Sequence, residues 1–355
     1  MKYDTIIVGA GMAGACAALH LSKHQEVLLI EASHPGAGAS GVAGGLFNPF
    51  IAYRGRPVWR FEEAIASFHA QLELGNATHL FDNRGLLRPA RDEQQATYYQ
   101  QSIKMHPNCA AWWSPEESKA RHPKIHAPFG TMFVSAGGAL STAAFSQHMV
   151  DAAIANGVTY LNNTPVNKWG ITDGETWVSL ATTQEQIKTD RLVLALGYGY
   201  VDTPLDLLDL HPVKGQTMRI NWPAWISRDE LLPTSGHAYI IPEEETLAIG
   251  SSFEHDFKHE DISSEVTQDL LQKADAVLPG LLDADIVEEQ VGFRVTVPHI
   301  RLPMVGPIDY GKRIWVFTAF GSKGLLLAPL LASELHGYFK QPDLIPEEIQ
   351  IRVKT

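Results

Sequence analysis

The chain opens with the run Asp4-Thr5-Ile6-Ile7-Val8, breaks at Gly9-Ala10-Gly11-Met12-Ala13-Gly14, and turns apolar again over Val27-Leu28-Leu29-Ile30 before Glu31. Short continuous apolar runs mark strands buried on both faces, and the segment 15–24, with Ala18 and Leu21 on its packing side, predicts a helix between them. A strand, a glycine turn, a helix and a second strand ending in an acid predict a parallel crossover.

Further along, Val58, Phe61, Ile65, Phe68 and Leu72 recur at helical spacing, and a mixed region follows with a turn at Asn83-Arg84-Gly85, a helix over 93–105 and a short helix capped by Ser114 with Pro115 first. Phe145, Met149, Ala152 and Ala153 predict a helix within 141–156 that stops at Gly157. Strands are predicted at 158–161, 177–181 and 192–196, the last ending in a turn at Gly197. A second sheet is predicted between about 212 and 297, from the strand 212–220 and a hairpin over 238–251 around Glu243-Glu244-Glu245. A strand at 314–318, a turn at 321–324 and a helix at 325–338 complete the pattern, which contains no internal repeat. The fold class expected is α/β with an α+β second lobe: a Rossmann-like nucleotide domain built from 1–75, 137–211 and 298–355, with an antiparallel-sheet substrate domain inserted as 76–136 and 212–297.

Composition narrows the function. The 355 residues are 45% hydrophobic and 19% charged, as in an ordinary globular protein, and the net charge of -12 opposes a phosphate backbone. Cys16 and Cys109 are too few for a disulfide framework, and with no Cys/His cluster no metal site is expected. The apolar residues after Lys2 are all used by the glycine turn rather than by a signal peptide, no run is long enough to span a bilayer, and a cytoplasmic location is expected.

The glycine turn carries the clearest chemistry. Gly9 permits the tight turn, Gly11 lets the backbone approach a pyrophosphate, and Gly14 lets the helix lie close on the strand. Free amides at the helix start face the phosphates, and Glu31 accepts hydrogen bonds from ribose hydroxyls. NAD and FAD share the part bound in this way, so the motif alone leaves both open.

Later segments point to one of them. Gly36-Ala37-Gly38-Ala39-Ser40-Gly41, Ala43-Gly44-Gly45-Leu46, Val291-Gly292-Phe293-Arg294 and the segment 319–329 resemble, in the same order, the D-amino-acid oxidase and glycine oxidase family of FAD-dependent oxidoreductases. Within that family, Arg301-Leu302-Pro303-Met304-Val305-Gly306 and Phe320-Gly321-Ser322-Lys323-Gly324-Leu325 resemble the flavin domain of the bifunctional proteins that make 5-methylaminomethyl-2-thiouridine in tRNA, with Lys323 where arginine is usual. The resemblance covers the flavin domain alone, and no methyltransferase domain is expected in this chain. It implies noncovalent FAD, with Gly9, Gly11, Met12, Ala13, Gly14, Glu31 and Ala32 at the ADP half and Val166 on the adenine side. Ala39, Ser40, Gly44, Gly45, Leu46 and Gly197 would surround the cofactor. Gly321, Ser322, Lys323, Gly324 and Leu325 would stabilise negative charge on the reduced ring through backbone amides and the helix start.

Arg294 sits in an apolar strand where an inward-facing guanidinium needs a partner, and either a ligand carboxylate or a structural Asp or Glu satisfies it. In glycine-oxidase relatives the matching arginine binds the substrate carboxylate, and Tyr239 matches a tyrosine that assists; a core tyrosine is the other reading. The basic run Tyr53, Arg54, Arg56 and Arg60 reads either as a guide for an acidic substrate or as a solvated loop, and His237 and His255 as ordinary histidines. Together these readings predict oxidation of the C–N bond of a small amino acid or N-substituted glycine by hydride transfer to flavin N5, with Arg294 and Tyr239 as the residues that act on substrate. Oxidation of a carboxymethylaminomethyl wobble uridine in tRNA and a flavin-binding protein without turnover are the alternatives. Ala248 stands roughly where sarcosine oxidases carry a lysine that speeds reaction with oxygen, so the electron acceptor is left open among oxygen, a quinone and a carrier.

Overall fold

A computed structural model describes residues 2–354, arranged around two eight-stranded sheets. In the first, parallel strands stand in the order Thr159–Leu161, Val27–Ile30, Lys2–Val8, Gln186–Leu194, Ile314–Thr318. The chain steps outward from the first strand on one side and returns on the other, so the order reverses between Lys2–Val8 and Gln186–Leu194. Crevices at such reversals, at the carboxyl ends of parallel strands, are where open α/β sheets bind ligands.

The predicted first helix occupies Met12–Leu21 rather than 15–24. Gly11 is extended at its N-cap, so the glycine turn itself supplies the first helical residues; at the other end Ser22 closes the helix, its amide bonding to Ala18 O, and 23–25 turn tightly into the next strand. No terminating glycine is needed. The helix is buried on nearly all sides, not on one packing stripe, because it lies among the sheet, the helix Thr142–Ala155 and the last helix, Gly324–Lys340.

The sequence pattern anticipates the helices Phe61–Leu74, Glu93–Met105 and Pro115–Arg121, the last with a complete capping box between Ser114 and Glu117. It misses the strand Val166–Thr172, whose polar edge positions carry no alternation, and Met304–Pro307, which becomes a strand only by pairing with Ile314–Thr318.

The second sheet runs Ile286–Thr296, His211–Asn221, Thr246–Gly250, Tyr239–Pro242, Thr234–Ser235, Leu86–Pro89, Thr131–Val134, Ala111–Trp113. Its strands therefore come from two stretches, 86–134 and 211–296. The three strands from the earlier stretch, and the helix Ser264–Asp275, have no counterpart in the sequence reading. One face packs Met218, Ile220, Ile240, Leu247 and Ile249 against Leu270, Leu271 and Ala274 of that helix. The other face looks toward the nucleotide sheet and closes a cavity between the two.

The core beside this cavity is dense. Phe68 is fully buried, stacked on Phe47 at 3.9 Å and edge-on to Phe81 at 5.1 Å. Phe68→Ala is expected to cost about 3–5 kcal/mol through lost burial and the hole left behind, measurable as a lower urea midpoint with unchanged slope.

Candidate active site

The cavity, about 820 Å³, lies between the carboxyl ends of the parallel strands and the inner face of the second sheet. Its nucleotide end is lined by Gly9, Gly11, Met12, Ala13, Glu31, Ala39 and Ser40. Gly9 has φ +103°, and a Cβ on it would lie 2.4 Å from Ala195 O of the adjacent strand end. Gly14 does not line the cavity; it lets the helix touch the turn, since a Cβ there would lie 1.8 Å from Gly9 O. Ser40 Oγ accepts a hydrogen bond from Met12 N at 3.0 Å, and Glu31 accepts from Ala10 N at 2.7 Å and Ser33 N at 3.0 Å, which fixes its carboxylate at the cavity wall.

A second helix start enters the same space. Gly321, Ser322, Gly324 and Leu325 line the cavity where Gly324–Lys340 begins, with neither a side-chain cap from Lys323 nor an acidic residue in the first turn. The first helix likewise lacks an acid in its first turn and a side-chain cap from Gly11. Two helix N-termini thus direct positive partial charge into one cavity. Between them Gly44, Gly45, Leu46 and Gly197 complete the wall, and Gly45 has φ +72° with Leu140 O 1.6 Å from where a Cβ would stand. An elongated ligand with an anionic middle and an electron-rich ring fits this arrangement: the first helix start would hold a pyrophosphate and the last one a flavin ring.

Three further sequence-predicted positions lie outside the wall. Ala32 is exposed just beyond Glu31, and Val166 pairs with Leu180 at the start of an edge strand, packed against the neighbouring core. Lys323 turns its Nζ to Arg301 O at 2.6 Å, and burial, with Arg301 nearby, pushes its ammonium down to about 8. Ala248 is buried against Ile241 and Ala139, next to Leu46 and Tyr239, without itself lining the cavity; neither buried Cys16 nor half-buried Cys109 lines it.

The wall facing the two helix starts is built on strand register. Gly215 faces Gly292, Thr217 faces Gly250 and Gly250 faces Tyr239, so Arg294 and Tyr239 project from one face of the sheet. Tyr239 is wedged between Gly44 and Gly250, where a Cβ would lie 2.4 and 2.5 Å from its ring and hydroxyl, and its oxygen accepts from Gly44 N at 3.2 Å. Burial pushes the phenol up to about 12, so it is a neutral donor at physiological pH.

Arg294 extends over Gly215, whose absent side chain makes room for the guanidinium: a Cβ there would lie 2.6 Å from Nη1. It donates to Ser252 O at 3.1 Å and to Ser251 Oγ, and Phe253 lies under it at 4.4 Å. Burial lowers its pKa from the ordinary guanidinium value, partly offset by Tyr239. Among the described residues no Asp or Glu pairs with it, so the salt-bridge reading of Arg294 does not hold.

The basic run behaves differently from a substrate guide. Arg60 is held by Glu63 and Glu334, Arg54 lies over Tyr98 at 5.0 Å, and Arg56 is exposed; only Tyr53 reaches the cavity, its hydroxyl bonded to Asp92 at 2.7 Å. His237 lines the cavity, and His255 stacks on His211 at 5.5 Å. Gly215, Ser251, Ser252, Phe253, Arg88 and Arg91 were not singled out from sequence. The lone glycine in the strand at 215 is the one signal that could have marked a close approach.

Fold and cavity define a dinucleotide-dependent oxidoreductase. The chain belongs to the DAO family of FAD dependent oxidoreductases, whose family pattern matches residues 4–336. It is 28% identical over 370 residues to the tRNA 5-methylaminomethyl-2-thiouridine biosynthesis bifunctional protein MnmC of Polaromonas naphthalenivorans, a match covering 94% of this chain but 56% of that protein, so the chain spans little more than half its length. It is 27% identical to glycine oxidase of Pseudomonas aeruginosa, with 98% of each chain covered. The crystal structure of glycine oxidase from Geobacillus kaustophilus superposes with a TM-score of 0.83 at 21% identity, covering 96% of this chain and 95% of that one. FAD is therefore the cofactor, and no helix among the described residues is long and apolar enough to cross a membrane.

Two substitutions probe the two ends of the cavity. Gly14→Ala is expected to yield protein that retains little FAD, read as the flavin absorbance to protein ratio after purification. Gly215→Ala is expected to keep the yellow colour but weaken carboxylate ligands about tenfold or more by displacing the guanidinium, read by titrating the flavin spectrum. Lys323 offers a pH test. Because its folded pKa lies below its unfolded value, the folded state binds fewer protons between about pH 8 and 10.5, and stability due to this group rises with pH across that window. Lys323→Gln is expected to remove that increment, seen as a smaller rise in melting temperature than the parent shows from pH 8 to 10.

Proposed function

We propose that the protein oxidises the C–N bond of a small amino acid or N-substituted glycine. The observation that carries this reading is Arg294, a guanidinium held against backbone and hydroxyl oxygens, without an acidic partner among the described residues, at the wall of the cavity that fits the flavin. Its planar fork suits a bidentate carboxylate. Tyr239 adds a neutral hydroxyl from the same sheet face, so a carboxylate at Arg294 is oriented from two sides. Gly215 and Gly250 hold these two groups in place by being too small to displace them.

When bound, FAD supplies the hydride acceptor. The substrate loses the Cα hydride and an amine proton, its C–N bond becomes an imine, and water then hydrolyses that imine to an oxo acid and a free amine. An external acceptor takes the two electrons onward. The protein's part is alignment, where small displacements change rates by orders of magnitude. Similarity to a full-length glycine oxidase supports a free small-molecule substrate.

A second reading, oxidation of a carboxymethylaminomethyl uridine in tRNA, is supported by the match to the MnmC protein over 94% of this chain. It requires a polyanion to dock on a chain of net charge -12, which disfavours it. Anaerobic mixing of the yellow protein with glycine, sarcosine, proline, D-amino acids and modified tRNA, followed by flavin bleaching, tests both. Bleaching by a free amine is expected, and Arg294→Ala is expected to weaken that substrate by about 2–5 kcal/mol, or roughly 30-fold and more. Bleaching by tRNA alone would replace the first reading with the second.

A further inference from the structure

The cavity is unevenly charged. Glu31 is the sole carboxylate among its lining residues, and it lies at the nucleotide end; the rest of the wall carries Arg88, Arg91 and Arg294. In a chain with 40 acidic and 28 basic residues, three guanidinium groups on one wall without an acid between them call for an anionic ligand. Arg294 accounts for one negative charge. Arg88 and Arg91 remain.

Register places them. Ser235 pairs with Tyr239, and Thr234 pairs with both Ile240 and Leu87, so Arg88 projects from the same sheet face as Tyr239 and Arg294. Five strand spacings separate the strands of Arg88 and Arg294, about 24 Å between their backbones. One carboxylate cannot meet both arginines.

Arg88 is 4% exposed, donates to Ala52 O at 2.8 Å and to Phe50 O, lies over Tyr99 at 4.7 Å, and has a buried Nε with no partner. Arg91 is exposed at the wall and donates to Gly236 O at 2.5 Å, three residues before Tyr239. Neither pairs with a carboxylate among the described residues. The neighbouring Asp92 is already engaged by Tyr53 and by the amide of Gln95.

We propose that the substrate carries a second carboxylate, distal to the one at Arg294, and that Arg91 and Arg88 receive it. The substrate class is then an amino acid or N-carboxymethyl amine whose substituent ends in an acid. This rests on the reading that Arg294 binds the first carboxylate. Aromatic side chains, Tyr53 and Tyr99, line the path near the second site and suit the apolar arm between the two acids.

The FAD-loaded protein tests this by equilibrium titration of the flavin spectrum with diacids from malonate to pimelate and with the monoacid of each length. Diacids beyond succinate are expected to bind at least tenfold tighter than their monoacid counterparts. Arg91→Met is expected to cut that preference at least fivefold; Arg88→Met, if it folds, does the same. Equal binding of diacids and monoacids, or a preference that survives Arg91→Met, overturns the proposal while leaving the Arg294 reading intact. If no carboxylate of either kind perturbs the flavin, both fall together. Tighter binding of a carboxymethylaminomethyl-uridine stem-loop than of every diacid also overturns it, in favour of RNA.

Discussion

Backbone-to-backbone contact at the reversal point of the first sheet is the constraint on which the rest depends. Gly9 lies against Ala195 O, and Gly14 lies against Gly9 O, at separations that no side chain would allow. That contact brings the first helix start to the ends of two adjacent strands and aims its amides into the crevice. The last helix arrives at the same crevice from the other end of the chain, because the strand Ile314–Thr318 pairs beside Gln186–Leu194. A cofactor that needs anion binding in its middle and dipole stabilisation at its ring is served by these two helix starts together.

The second sheet repeats the device with a different purpose. Glycines at 215 and 250 open windows in the strands, through which Arg294 and Tyr239 lie flat along the sheet instead of standing away from it. A guanidinium held this way keeps a fixed orientation without a carboxylate partner, at the expense of its own solvation. The cavity wall that carries Arg294 therefore holds positive charge that suits an anionic ligand.

Much of the nucleotide half was legible along the chain, for a physical reason. Strand, turn and helix at 2–31 are contiguous, and the requirement for glycine at Gly9, Gly11 and Gly14 is local. The helix opened by Ser114 was equally visible, since a cap followed by Pro115 is a property of neighbouring residues. The strands Leu86–Pro89, Ala111–Trp113 and Thr131–Val134 were not, because segments of three or four residues are too short to show an alternation and become strands only when a partner supplies the other half of each hydrogen bond. Val166 and Lys323 show the complementary difficulty: a motif position specifies a neighbourhood but not where a side chain points.

By itself the sequence determined the parallel crossover, the glycine turn, the acid at Glu31 and the presence of an arginine in an apolar strand, all properties carried by residues close together in the chain. Tertiary structure decided which groups share the cavity. That Arg294 has hydroxyl and carbonyl partners but no acid among the described residues, that Tyr239 lies between Gly44 and Gly250, and that Arg88 and Arg91 line the same wall depend on strand pairing between distant segments. Register is a relation between strands, and no single stretch of residues encodes it.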